Sequence, residues 1–138
     1  MELKQYLKAN FGWNEYKIIS DNELISIYNK ANFTNPPAKM VKFVSFFYNL
    51  NFKFKETDIN FNIKNILLRN SYDLYFDQYC EVVGVSNITP FAEIEDGYTV
   101  LVSDDKNNIY GICDDLKTDL GNDYYRMLEK VASNTYYR

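Results

Sequence analysis

Apolar residues recur at helical spacing in three stretches of the first fifty residues. Leu3, Tyr6, Leu7 and Phe11 define the first helix, and Gly12 suits its C-terminal stop. Asp21 is placed to cap a second helix running to about Asn29, which would bury Leu24, Ile25, Ile27 and Tyr28. Pro36-Pro37 opens a third, because proline is tolerated in a first turn, and Met40, Phe43, Val44 and Phe47 form its apolar stripe. The period then changes. Phe52 and Phe54 alternate with polar residues in 51–55, and Ile59, Phe61 and Ile63 do so in 59–63. This predicts a hairpin of two strands around Glu56-Thr57-Asp58. Tyr72, Tyr75, Tyr79 and Val82 or Val83 fit a helix over 72–83.

The C-terminal half continues with strands over 88–94 and 98–103 around Asp96-Gly97, a tight-turn dipeptide. A polar turn, Asp104 to Asn108, leads to a third strand over 109–113. Leu120-Gly121-Asn122-Asp123 introduces a last helix. Asn122 or Asp123 can cap it, and Tyr124, Leu128 and Val131 form its buried side. The expected fold is α+β: N-terminal helices, an antiparallel meander and a closing helix. No repeat, linker or low-complexity segment divides the 138 residues, so they read as a single domain spanning 1–138.

Composition narrows the chemistry. The chain has no histidine, which excludes Ser-His-Asp and Cys-His sites and any zinc site built on imidazole. Cys80 and Cys113 are the only cysteines and read as reduced, buried residues. No apolar run approaches the roughly 20 residues of a membrane span. The opening MELKQYLKANF lacks the apolar core of a secretory leader. A cytoplasmic protein without membrane contact is expected.

Three motif readings fail on their details. The segment Asp104 to Asp115 resembles a calcium loop, but Ile109 and Asp115 occupy the places of the required Gly and Glu, and Lys106 the third. Asp114, Asp115, Asp119 and Asp123 lack the glycine-rich loop and lysine that accompany magnesium-dependent phosphoryl transfer. Lys53, Lys55 and Lys64 alternate with Phe52, Phe54 and Phe61, and alternation sends lysines and rings to opposite faces, so no base-stacking platform results. No catalytic residue, metal or cofactor is therefore expected, and the chain reads as a non-enzyme.

Charge is uneven. Residues 1–70 carry ten Lys/Arg against six Asp/Glu, and residues 71–138 carry five against thirteen, which gives +4 and −8 within a net −4. An acidic half repels a phosphate backbone and so argues against nucleic acid. It suits a basic protein, whose opposite field speeds encounter. Aromatic residues make up 17% of the chain, with 13 Tyr and 10 Phe, and tyrosine serves interfaces as well as cores. The expected partner-binding residues are Glu93, Glu95, Asp96, Tyr98, Asp104, Asp105, Tyr110, Asp114, Asp115 and Asp119. Because alternate loops of a meander lie at opposite ends of the sheet, Asp96 should share an end with Asp114 and Asp115, and Asp104 should lie at the other.

Several short motifs resemble the SUKH superfamily, most closely its third clan. They are Phe11-Gly12-Trp13 at a helix end, Val44 to Phe54 as a helix running into a strand, and Val83-Gly84 to Pro90. Tyr98 to Tyr110 resembles the family's strand–acidic turn–strand hairpin, and Leu120-Gly121-Asn122-Asp123 with the helix to Val131 its closing element. Members are mostly immunity proteins of bacterial polymorphic-toxin systems. The resemblance implies that the chain binds and neutralises a cognate toxin, plausibly a basic nuclease. It implies no shared catalytic residues. The alternative on the same scaffold is a non-enzymatic adaptor or regulatory domain that binds a cellular protein.

Overall fold

Glycine, proline and short polar side chains punctuate the chain where helices begin and end. The structure is a computed structural model and describes residues 2–134. Helix α1 (Leu3–Phe11) stops at Gly12; its φ of 66° turns the chain so that the Gly12 N–H donates to the Lys8 carbonyl and the Trp13 N–H to the Leu7 carbonyl. Helix α2 (Asp21–Lys30) is capped by Ser20, one residue before the expected Asp21. Ser20 Oγ accepts from the Glu23 N–H at 3.1 Å and donates to the Glu23 carboxylate at 3.2 Å. Asp21 instead sits in the first turn, where the helix dipole favours its charge, and pairs with Lys17 at 2.8 Å. Ile25 and Ile27 are only half-buried, leaving Leu24 and Tyr28 as the dry positions. Helix α3 (Ala38–Ser45) follows Pro37 as expected but ends before Phe47, which is buried from the turn beyond it.

Strands β1 (Asn51–Lys53) and β2 (Asp58–Asn60) form the expected hairpin but are shorter than the alternation suggested. The Asn60 carboxamide accepts from the Asn62 N–H at 2.8 Å and turns the chain. Ile63 therefore opens a helix, α4 (Ile63–Arg69), which corrects its assignment to a strand; Ile63, Ile66 and Leu67 are buried at i, i+3 and i+4. Helix α5 (Tyr72–Val83) ends at Gly84 with φ 84°.

Strand β3 (Thr89–Ile94) runs into a 3-10 turn, Glu95–Gly97, in place of the expected tight Asp-Gly turn. Glu95 and Asp96 both adopt positive φ there, 56° and 55°. Strands β4 (Thr99–Ser103) and β5 (Ile109–Cys113) follow as expected. An unexpected strand, β6 (Leu116–Asp119), then pairs with β5. Helix α6 (Tyr124–Ala132) is capped by Asp123, which accepts from the Arg126 N–H at 3.0 Å.

The six strands lie in sequence order, each antiparallel to its neighbour, so the fold is α+β with a continuous meander and a closing helix. Every residue of β3 and β4 is buried, because helices cover both faces of the sheet. Val100, Val102, Tyr110 and Ile112 share one face by register, and Tyr75 and Tyr79 of α5 lie on that side. Leu101, Ser103 and Gly111 share the other, where the Tyr124 hydroxyl of α6 meets Ser103 Oγ at 2.7 Å. On the α6 side Phe47 stacks on Trp13 and Phe61 and meets Phe52 edge-on, while the buried Tyr28 hydroxyl donates to the Pro90 carbonyl at 2.7 Å. No helix among the described residues is long and apolar enough to cross a membrane.

Candidate functional site

The meander sorts nine of the ten expected binding residues into two groups at opposite ends of the sheet, and the tenth, Glu93, lies within β3. The β3–β4 turn carries Glu95, Asp96 and Tyr98 to the same end as the β5–β6 turn with Asp114 and Asp115. Asp104 and Asp105 lie at the other end, together with Tyr110 near the start of β5 and Asp119 at the end of β6. Asp119 thus lies at the opposite end from Asp114 and Asp115, because β6 runs between them.

Two of the ten are structural. Glu93 is 2% exposed. Its carboxylate accepts from Arg69 Nε at 3.1 Å, from Arg69 Nη2, and from Asn70 Nδ2 at 3.2 Å; the Tyr79 hydroxyl donates to Asn70 Oδ1 at 2.6 Å. A carboxylate so enclosed ties α4 and α5 to β3 and is not part of an outer face. Burial pushes the Tyr79 hydroxyl up to about 12, so it remains a proton donor in this network. Asp104 is 5% exposed. Its Oδ1 accepts the Lys106 and Asn108 N–H groups, both at 2.9 Å, and Oδ2 accepts Asn108 Nδ2 at 3.1 Å, so it staples its own loop. Asp105 accepts from Asn87 Nδ2 at 2.7 Å, and Asp119 lies 3.8 Å from Lys117, whose ammonium sits over the Tyr110 ring at 5.3 Å.

The other end is different in kind. Tyr98 is 79% exposed and Leu116 71%. Between this end and α5 opens a cleft of about 250 Å³, with Glu93, Val100 and Ile112 inside and Arg69, Tyr75, Gln78, Tyr98 and Asp114 around them. Leu74, also strongly exposed, lies one turn before Gln78 on the same helix side. Asp96 is fixed by its N–H, which donates to Asp58 Oδ1 at 2.9 Å, and Glu95 accepts from Thr99 Oγ1 at 3.3 Å. The Asp114 and Asp115 carboxylates form no ion pair or hydrogen bond among the described residues. Exposed apolar side chains beside unpaired carboxylates make a surface suited to a partner with apolar anchors and positive charge.

Sequence reasoning passed over Arg69, Leu74, Tyr75 and Leu116. The helical spacing of Tyr75 and Tyr79 was visible, but which helix side faces a cleft depends on packing against β4 and β5. Leu116 carried no signal, since a lone apolar residue in a polar stretch points equally well inward. Cys80 and Cys113 are free and half-buried, and burial pushes the Cys80 thiol up, away from its reactive thiolate form. Among the described residues no three His, Cys, Asp or Glu side chains come together to hold a metal. The chain matches no family model, no curated protein and no solved structure.

Proposed function

We propose that this chain is a non-catalytic binding domain that grips a basic protein at the sheet end bearing Asp96, Tyr98, Asp114 and Asp115. The observation that carries this reading is the cleft beside α5, lined by exposed Tyr98 and an unpaired Asp114, with exposed Leu74 next to its Tyr75 on α5 and exposed Leu116 two residues beyond its Asp114. Monomeric proteins seldom leave such apolar groups clustered, and partners bury them as anchors. The resemblance to SUKH immunity proteins adds the class of partner. On that reading the domain binds a cognate toxin, plausibly a nuclease with a basic cleft, and blocks it by occupying its surface.

Each feature has its own kinetic role. The carboxylates act through the field and set the association rate. Tyr98 and Leu116 act through buried area and set the dissociation rate. Asp96→Asn/Asp114→Asn/Asp115→Asn is expected to slow association with the product of the adjacent upstream toxin gene about tenfold at low salt, with the effect shrinking as salt screens the charges. Tyr98→Ala is expected to raise the dissociation rate at least about tenfold with little dependence on salt. Lys8→Gln/Lys17→Gln is expected to change neither rate appreciably. Stopped-flow measurements at two ionic strengths read all three. A larger effect from the lysine pair, or carboxylate variants indifferent to salt, would refute the docking surface. Failure of the upstream product to bind, alongside capture of a different basic protein through Tyr98, would remove the toxin and keep the surface.

A companion expectation concerns turnover. The purified protein should hydrolyse neither nucleic acid, phosphate ester nor peptide, and the three-carboxylate variant should behave identically. Saturable activity lost in that variant would replace binding by catalysis.

A further inference from the structure

A second cleft, of about 430 Å³, lies between α1, α3 and the start of α6, and nothing in the proposed docking surface uses it. The two sites are on opposite faces of the sheet. Tyr124, which lines this cleft, bonds Ser103, whereas Val100 and Ile112, inside the other cleft, point the opposite way in the register.

The walls here are aromatic and fixed. Phe43 stacks on Tyr124 at 5.4 Å and meets Tyr125 edge-on at 5.0 Å. Phe46 completes the apolar side, and its carbonyl is held by Trp13 Nε1 at 2.9 Å. Phe43 and Tyr124 are themselves buried and brace the half-buried Phe46 and Tyr125, which offer a preformed surface to a flat apolar body and so remove an ordering cost from binding.

The charged groups around these rings differ in what they are already bonded to. Lys4 is committed: its ammonium lies 2.8 Å from Glu15 and 4.7 Å over the Tyr125 ring. Asp123 is committed to the Arg126 N–H. Lys39 and Lys42, one turn apart on α3, are exposed and enter no ion pair among the described residues. The cleft therefore presents two free cations above an aromatic wall, in a chain whose net charge is −4.

We propose that this cleft binds a small organic anion with an aromatic body, of the class of aromatic carboxylates. The ring lies against Phe46 and Tyr125, which the buried Phe43 backs, and the carboxylate reaches Lys39 and Lys42. Neither feature suffices alone. A simple anion would gain little from two solvated lysines, and a neutral ring would leave the lysines unused.

Three probes separate these contributions: indole-3-acetate carries both features, tryptamine carries the same ring with a cation, and acetate carries the charge alone. In amide NMR titrations, indole-3-acetate is expected to shift Phe43, Tyr124 and Tyr125 saturably. Tryptamine is expected to leave them unmoved, and acetate to bind at least about tenfold more weakly. Lys39→Gln/Lys42→Gln, two exposed positions whose replacement leaves the core untouched, is expected to weaken indole-3-acetate about tenfold or more, since each charge-assisted hydrogen bond is stronger than a neutral one. Absent or unsaturable shifts, equal shifts with tryptamine, or unchanged affinity in the lysine variant would overturn the assignment.

Discussion

Trp13→Ala is expected to destabilise the protein by about 3–5 kcal/mol. Trp13 is 4% exposed, and its indole stacks on Phe47 at 4.9 Å with the planes only 3° apart. Phe47 in turn contacts Phe43, Phe52 and Phe61, so the indole closes one side of the aromatic centre that joins α3 to β1 and β2. The same ring donates Nε1–H to the Phe46 carbonyl at 2.9 Å at the end of α3. Truncation to alanine removes the stacked surface, leaves a cavity beside Phe47 and deprives that carbonyl of its donor. Gly12, at φ 66°, aims the chain so that the indole reaches this place directly after α1. Trp13→Phe keeps most of the apolar fill and loses the hydrogen bond, so it is expected to cost about 1–2 kcal/mol. Urea unfolding of the three proteins checks both values. A loss under about 1 kcal/mol for the alanine variant is incompatible with a closing role for this side chain.

That contact also marks how far the sequence could be read. Gly12 announced its helix end, since a left-handed residue after an apolar stripe is a local event. Tyr124, Leu128 and Val131 announced α6 for the same reason. Helix α4 was hidden because two periods overlap: Ile59, Phe61 and Ile63 alternate, while Ile63, Ile66 and Leu67 have helical spacing. The deciding interaction is the Asn60 side chain turning back onto the Asn62 N–H, and nothing in the apolar pattern reports it. Strand β6 was hidden because it is an edge, with Leu116, Lys117 and Asp119 exposed, so neither period appears.

The candidate site was legible to a similar depth. Topology alone placed Asp96 with Asp114 and Asp115 and moved Asp104 to the far end. What topology could not tell was the inner life of each carboxylate. Glu93 and Asp96 stand three residues apart in the chain, yet one is sealed against Arg69 and the other lies in a turn. The difference lies in a partner 24 residues upstream of Glu93, beyond any local pattern. Asp104 was closer to readable: a short carboxylate followed by Asp-Lys-Asn-Asn is a side chain that can bond its own turn, and it does.

Arg69→Ala is expected to cost about 2–3 kcal/mol near neutral pH, because it strands a buried charge. The Glu93 side chain is 3% exposed while that of Arg69 is 51% exposed, so the guanidinium spans from the cleft wall to water. Its removal leaves Asn70 Nδ2 as the remaining side-chain donor to the Glu93 carboxylate. Water entering the emptied cleft solvates part of that charge, which sets the estimate below the cost of a fully enclosed pair. The penalty belongs to the ionised carboxylate. Glu93→Gln in the Arg69→Ala background removes the charge and is expected to restore about 1 kcal/mol or more. In the parent, Glu93→Gln is expected to destabilise, since it discards the charge-assisted bonds to Arg69. The opposite sign of the same substitution in the two backgrounds is the signature of the pair. Additive effects in the double variant would show that α4 and α5 are held to β3 by packing instead. Because Arg69 also borders the cleft beside Tyr98, partner association measured on the Arg69→Ala/Glu93→Gln protein then reports whether the cleft's shape, separately from its stability, governs docking.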